Sequence, residues 1–353
     1  MGDNMNKHLT AAGALLASAT MVNAAGLDRS GQDVSVIFED GNYFQLSYGN
    51  VNPTVTGVHS LGGPSGDMAP SYNQISLGYK HELSDKLDLA LIIDQPYGAS
   101  VAYPTGTTYP LTGTTAELTS LGTTLVAKYS LSDRMSVMAG VRNQSIDGDI
   151  AITGGYTLTA SDTGGFGYLV GASYEIPDIA LRVALVYNSP IDHTMSGTEN
   201  GSASSFDVTT PQSLNLTAQT GIAPGTLLFG SVRWVDWDAF DITPNAYPAG
   251  ALIDYDNDGM TYSLGVGRQF TDNFSGSIAF GYEAAQGGPG SNLAPTDGYF
   301  SVQVGGRYTM DNVTISGGVR YVDIGDTTTE APISGVFADN SAIGVGLQVG
   351  VGF

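Results

Sequence analysis

The chain has 353 residues, 42% of them apolar, with 34 acidic against 12 basic residues and a formal net charge of −22. It contains no cysteine, which excludes a disulfide framework and cysteine-ligated metals. So acidic a chain also excludes nucleic acid as a partner, because phosphate contacts need clustered Lys and Arg.

Only 13% of residues are charged, while Gly numbers 48 and Tyr 19. No stretch beyond the N-terminus reaches the ~18 apolar residues of a membrane helix. A membrane role would therefore fall to strands closed into a barrel. Residues 1–24 read as a signal peptide. Lys7 and His8 give a short basic start, residues 9–21 are apolar or small, and Val22-Asn23-Ala24 fits the small-x-small cleavage rule. The mature chain is expected to begin at Ala25.

From residue 42 onward the sequence breaks into alternating segments of about ten residues, the length a tilted strand needs to cross a bilayer. They fall at 42–51, 72–82, 86–95, 117–129, 135–146, 165–175, 179–188, 212–222, 226–237, 260–270, 274–283, 299–309, 313–323 and 342–353. That makes fourteen, an even number, as single-chain bacterial barrels have. The connectors alternate. Residues 83–85, 131–134, 176–178, 223–225, 271–273 and 310–312 are tight and hold the Asp, Asn, Pro or Gly that turns require. The others, such as 98–116 and 189–211, are long and read as loops rich in Gly, Ser, Thr, Asp and Pro. Short periplasmic turns and long external loops are the asymmetry of outer-membrane barrels.

The last segment is the clearest. Ile343, Val345, Leu347, Val349, Val351 and Phe353 alternate with Gly344, Gly346, Gln348, Gly350 and Gly352. Period two gives one oily face and one small or polar face. The oily face suits lipid, and barrel closure removes the exposed edge. Phe353 is similar to the C-terminal signal read by bacterial barrel-assembly machinery.

Facing follows from the same period. Lys80, Lys128, Arg142, Arg182, Arg307 and Arg320 fall on the lumen phase, with the acids Glu82, Asp88, Asp94 and Glu175. A lipid-facing Arg would cost ~2–4 kcal/mol at mid-membrane. Arg268 falls on the outward phase, near a short turn where it can snorkel. Arg233, beside Trp234, can be placed on either face. The cations suit two roles: bracing the lumen through pairs with the acids, or holding a ligand carboxylate, which a guanidinium matches in shape. Ile92, Met138, Leu169, Val186 and Val322 share the lumen phase. They fit either an acyl chain or packing against a plug.

Gln95-Pro96-Tyr97-Gly98 is a place where the ladder should break, since Pro lacks a donor. Asp254, Asp256 and Asp258, followed by Gly259, imitate the start of a calcium loop, but position twelve is Gly265 rather than Glu. They make at most a weak cation site. No HExxH, nucleophile elbow or nucleotide fingerprint is present, so neither an enzyme nor a cofactor is expected.

Several motifs resemble the FadL/TodX family of outer-membrane transporters. They are residues 26–32 with 37–43, the Thr-Pro strand start at 210–216, and the paired-Trp strand at 231–240. The resemblance spans essentially the whole mature chain. It implies a monomeric all-β transmembrane antiparallel barrel over 42–353, with residues 25–41 folded inside as a short N-terminal hatch or plug. It implies passive transport of long-chain fatty acids, or in some relatives aromatic hydrocarbons, with sideways release into outer-membrane lipid. Pro96, Tyr97 and Gly98 become the candidate lateral gate, and Arg142, Arg182, Arg233, Arg307, Arg320 and Lys128 the candidate ligand-binding residues. The segment ahead of the first strand is shorter than in the best-known members and lacks an Asn-Pro-Ala run. A general porin for small polar solutes and an adhesive surface barrel are the competing expectations.

Overall fold

A computed structural model describes residues 27–353 apart from Ala249. The expected signal peptide lies outside the described residues.

Fourteen antiparallel strands form the barrel. In chain order they are β1 (Tyr43–Thr54), β2 (Tyr72–Ser84), β3 (Leu87–Asp94), β4 (Thr115–Ser130), β5 (Met135–Ile152), β6 (Gly165–Ile176), β7 (Leu181–Asn188), β8 (Ser213–Ala223), β9 (Thr226–Val235), β10 (Gly259–Gln269), β11 (Phe274–Glu283), β12 (Tyr299–Met310), β13 (Val313–Ile324) and β14 (Asn340–Gly352). Each pairs with its chain neighbours, and β1 closes on β14 from Tyr43 opposite Gly352 to Thr54 opposite Ser341. Closure pairs the outer edges of the first and last strands with each other.

Side chains obey the pleat. On β14, Ile343, Val345, Leu347 and Val349 are exposed, while Gly344, Gly346, Gln348 and Gly350 are buried. Tyr129, Tyr174, Phe270, Tyr282 and Tyr308 stand exposed near strand ends, as an interfacial belt requires. The glycines across the closing seam are not empty room. The Tyr43 hydroxyl lies over Gly350, where a Cβ would collide with it, and Gln348 donates to Gln45 at 2.8 Å.

The long connections differ from the loops expected at 98–116 and 189–211. Gly98–Ala102 is a strand on β4, and Ile191–Glu199 with Ser202–Thr210 forms a hairpin. That hairpin continues the wall beyond the barrel by pairing with Tyr156–Ser161, itself paired to an extended β5. Its inward residues alternate as the barrel's do: Ile191, His193, Met195, Phe206 and Val208 are buried. At the same end, Gly57–Val58, Pro289–Gly290, Thr327–Thr329 and Val336–Phe337 join three loops in a small four-stranded sheet. Beneath it Tyr103, Tyr109 and Phe337 pack together.

Residues 27–42 run inside the barrel. Val34, Val36 and Ile37 pack on Ile92, Val126, Met138, Leu169 and Val186. Four of the five apolar lumen residues singled out in the sequence thus line the seat of this inner segment, while Val322 belongs to the cluster under the loop sheet.

Candidate ligand cavity and its floor

β3 stops at Asp94, and the next strand begins at Gly98. Asp94 is opposite Gly122 and Gly98 is opposite Thr119, so residues 95–97 face only residues 120 and 121. One extra residue bends a strand, and Pro96 contributes no N–H to hold it in the ladder. Ser120 on β4 fastens the bend, its hydroxyl accepting from Tyr97 N at 2.8 Å and donating to Tyr97 O at 2.7 Å.

The bend has a consequence on its other side. β2 pairs with β3 only from Leu77 onward, although it pairs with β1 from Tyr72. The wall edge of residues 72–76 is bonded across the gap by Gln95: Ile75 N donates to its Oε1 at 3.0 Å and Gln74 Nε2 to its carbonyl at 3.5 Å. The bent strand takes the inner segment as its partner. Arg29 N donates to Pro96 O and Gly98 N to Leu27 O, each at 2.8 Å, bracketing a bridge between Asp28 and Tyr97. Pro96, Tyr97 and Gly98 therefore sit at an interruption of the barrel wall.

A cavity of about 170 Å³ opens beside this interruption. Ala69, Pro70 and Tyr72 border it on one side of the gap, and Tyr97, Ala99 and Val101 on the other. Its remaining wall is mostly apolar, with Ile146, Leu158 and Met195, then Phe206, Val208, Trp237 and Phe240, and Glu117 and Thr210 among the few polar residues. Tyr97, Trp237 and Phe240 form a chain of edge-to-face rings, with centroids 5.9 and 5.5 Å apart. A dry cavity of roughly 150 Å³ is enough to bind benzene.

The floor of the cavity is Leu27, Asp28 and Arg29. Asp28 Oδ2 accepts from Arg233 Nε at 2.6 Å, and both side chains are buried. Arg233 Nη1 donates to Asn215 Oδ1 at 2.8 Å. Arg233 thus faces inward while Trp234, on the opposite phase, donates to Asp258 at 2.9 Å. Arg29 Nε donates to Gly98 O at 2.7 Å, and its guanidinium stacks 3.3 Å from the centre of the Tyr72 ring. Burial pulls Arg29 down to about 9, which still leaves it a cation at neutral pH. Arg29 Nη1 and Arg233 Nη2 are buried with no hydrogen-bond partner among the described residues. Below the floor lies a second chamber of about 240 Å³, where polar groups such as Ser47, Gln74, Ser76 and Ser231 stand among apolar ones such as Phe229 and Ala279. Arg29 borders both spaces.

The other cations gather farther from the cavity. Lys80 and Lys128 each lie 3.1 Å from Asp88, and Lys80 also donates to Glu39 O at 2.8 Å. Lys128 and Arg182 approach the Phe38 ring at 5.2 and 4.6 Å. Glu39 is pushed above the ordinary carboxylate range by burial, opposed by Arg307 and Arg182. Arg142 bonds Thr124 and Asn188, and Arg320 bonds Ser301 at 2.9 Å beneath the Tyr299 ring. Arg307 lies beside Thr314, and exposed Arg268 donates to Thr226 near a short turn. Asp254, Asp256 and Asp258 do not converge: among the described residues no three such groups could hold a metal. Phe353 is exposed, its ring stacked 6.2 Å from Tyr79.

Sequence reasoning did not single out Asp28 and Arg29 as the floor, nor Phe206 and Trp237 as cavity wall. The alternation at 191–195 and 206–208 was the available sign of the added wall.

No protein-family model matches the sequence, and no curated protein matches it. Solved structures do match in fold. A Pseudomonas aeruginosa FadL homologue aligns with TM-score 0.75 at 12% identity, covering 90% of this chain and 92% of its own. The P. putida toluene transporter TodX aligns with TM-score 0.67 at 14% identity, covering 96% and 94%. The Ralstonia pickettii toluene transporter TbuX aligns with TM-score 0.64 at 13% identity, covering 90% and 91%. The fold of this chain is that of the FadL and TodX barrels.

Proposed function

We propose that the chain is an outer-membrane channel for passive uptake of hydrophobic molecules: long-chain fatty acids, or compounds of similar character including aromatic hydrocarbons. One observation carries the reading. The apolar cavity adjoins the interruption of the wall, while residues 34–38 fill the lumen beyond it. A ligand enters from the long-loop side, rests against Phe206 and Trp237, and leaves sideways between residues 72–76 and 98–102 into lipid. Pro96, Tyr97 and Gly98 form the gate, and residues 25–41 the hatch. The long loops then face outward and both chain ends face the periplasm.

Resemblance in fold to toluene transporters supports aromatic hydrocarbons as cargo. A general porin needs an open aqueous lumen, and the packing of Val36 and Ile37 argues against one. Arg142, Arg182, Arg307, Arg320 and Lys128 brace the hatch and wall in this account. Closure of β1 on β14 suits a monomer. The signal peptide leaves after Ala24, and Phe353 addresses the barrel to its assembly machinery.

The test is uptake of radiolabelled oleate and toluene by bacteria lacking their own hydrophobic channel. Expression of this chain is expected to give saturable uptake of at least one. Uptake no greater than in cells without it, together with large stable conductance in planar bilayers, would favour a porin.

A further inference from the structure

Asp28 stands between two spaces. Its residue borders the apolar cavity, while Arg233, which it grips at 2.6 Å, borders the second, mixed chamber. The pair is buried, and it ties the inner segment to β9 across 205 residues of sequence. The guanidinium is not saturated: Nε goes to Asp28 and Nη1 to Asn215, while Nη2 has no hydrogen-bond partner among the described residues. The adjacent Arg29 likewise leaves Nη1 without one. Buried donors of this kind call for an explanation, and one is that they serve another state of the molecule. At the floor of the apolar cavity, Arg233 thus holds Asp28 while the adjacent cation Arg29 rests on a carbonyl and the Tyr72 ring.

We propose that Asp28 is an internal carboxylate holding Arg233 in place of a ligand's, so that an amphipathic monocarboxylate releases the inner segment by exchange. The idea rests on the uptake reading and adds what opens the floor. An acyl chain in the apolar cavity presents its head at Leu27, Asp28 and Arg29. The head takes over Arg233, which keeps one carboxylate throughout, and Arg29 Nη1 gains an acceptor. Asp28 turns toward the second chamber, where groups such as Gln74, Asn215 and Ser231 can solvate it. Residue 28 also forms the bridge to Tyr97, so its departure loosens the bent strand beside the wall gap. A neutral hydrocarbon fills the same cavity but has nothing to exchange. Acids are then both cargo and key.

The experiment compares dodecanoate with dodecanol by calorimetry on the detergent-purified full chain, its folding checked by heat-modifiable gel mobility. Asp28→Asn is expected to tighten dodecanoate about tenfold, because a neutral amide competes poorly for a guanidinium. Dodecanol should change little. Arg233→Gln should reduce dodecanoate to the affinity of dodecanol. A wild-type readout accompanies these: dodecanoate, and not dodecanol, should speed amide hydrogen exchange across residues 27–32. Equal effects of Asp28→Asn on both ligands, or exchange rates that respond alike to both, would overturn the latch while leaving uptake intact. Wild-type protein that binds neither ligand would overturn the uptake reading and the latch with it.

Discussion

The main-chain N–H of Arg29 donates to the carbonyl oxygen of Pro96 at 2.8 Å. Through that bond the inner segment occupies an edge that β2 would hold in an uninterrupted barrel, since β2 pairs with β3 only from Leu77 onward. The bent strand at 95–98 and the inner segment are therefore one hydrogen-bonded unit, not two neighbouring devices.

The extra residue in 95–97 makes the bend, so removing it should remove the interruption of the wall. Deleting Pro96 brings Asp94 and Gly98 into register with Gly122 and Thr119 on β4. The strand can then run alongside residues 72–76, and the wall closes. The expected result is a folded, heat-modifiable barrel whose hydrophobic uptake falls to background. Uptake at the wild-type rate would show that cargo leaves by another route.

The inner segment is held in the lumen by packing and by charge. Phe38 lies under Lys128 and Arg182, and Val36 and Ile37 are buried among wall residues. Deleting residues 27–38 should convert a nearly silent protein into one with large, stable conductance steps in planar bilayers. Phe38→Ala should give brief openings only, because the apolar seat of Val36 and Ile37 remains.

Asp88 carries two ammonium groups, Lys80 and Lys128, each at 3.1 Å. Removing a carboxylate from a largely buried cluster leaves uncompensated charge, a loss of about 3–5 kcal/mol for a buried pair. Asp88→Asn should lower the urea midpoint in detergent accordingly. Adding Lys128→Met should recover part of the loss, since one ammonium then remains and Glu39 O still accepts from Lys80.

At the closing seam, a Cβ on Gly350 would meet the Tyr43 hydroxyl. Gly350→Ala should destabilise the barrel by about 1–3 kcal/mol, the range for overpacking. Tyr43→Ser should relieve much of that loss in a double-mutant cycle. If the two losses simply add, the residues do not pack as described.

Much of this fold is legible in the sequence, for a physical reason. A strand with lipid on one side and lumen on the other must alternate. Ile343 to Phe353 does so without a break, and the tight turns at 83–85 and 271–273 punctuate the pattern. The interruption of the wall was legible too, because Pro96 marks its own missing donor. The hairpin at 191–210 was not. Its Ser, Thr and Gly content reads as loop, and its inward Met195 and Phe206 acquire meaning only once the wall extends past the barrel. The lumen cations were placed correctly on the inner phase, but their partners were out of reach. Asp28 meets Arg233 across 205 residues, and no spacing rule encodes that contact. Nor could the period choose the face of Arg233, since both phases of β9 carry apolar residues.

The path of a hydrophobic ligand is tested most directly by locating one. A crystal of the protein soaked with a brominated alkane or brominated fatty acid would report bromine positions through anomalous scattering. The account predicts bromine in the cavity beside Phe206 and Trp237 and along the opening between Tyr72 and Ala99. Bromine past Val36 and Ile37, toward the short turns, would contradict it.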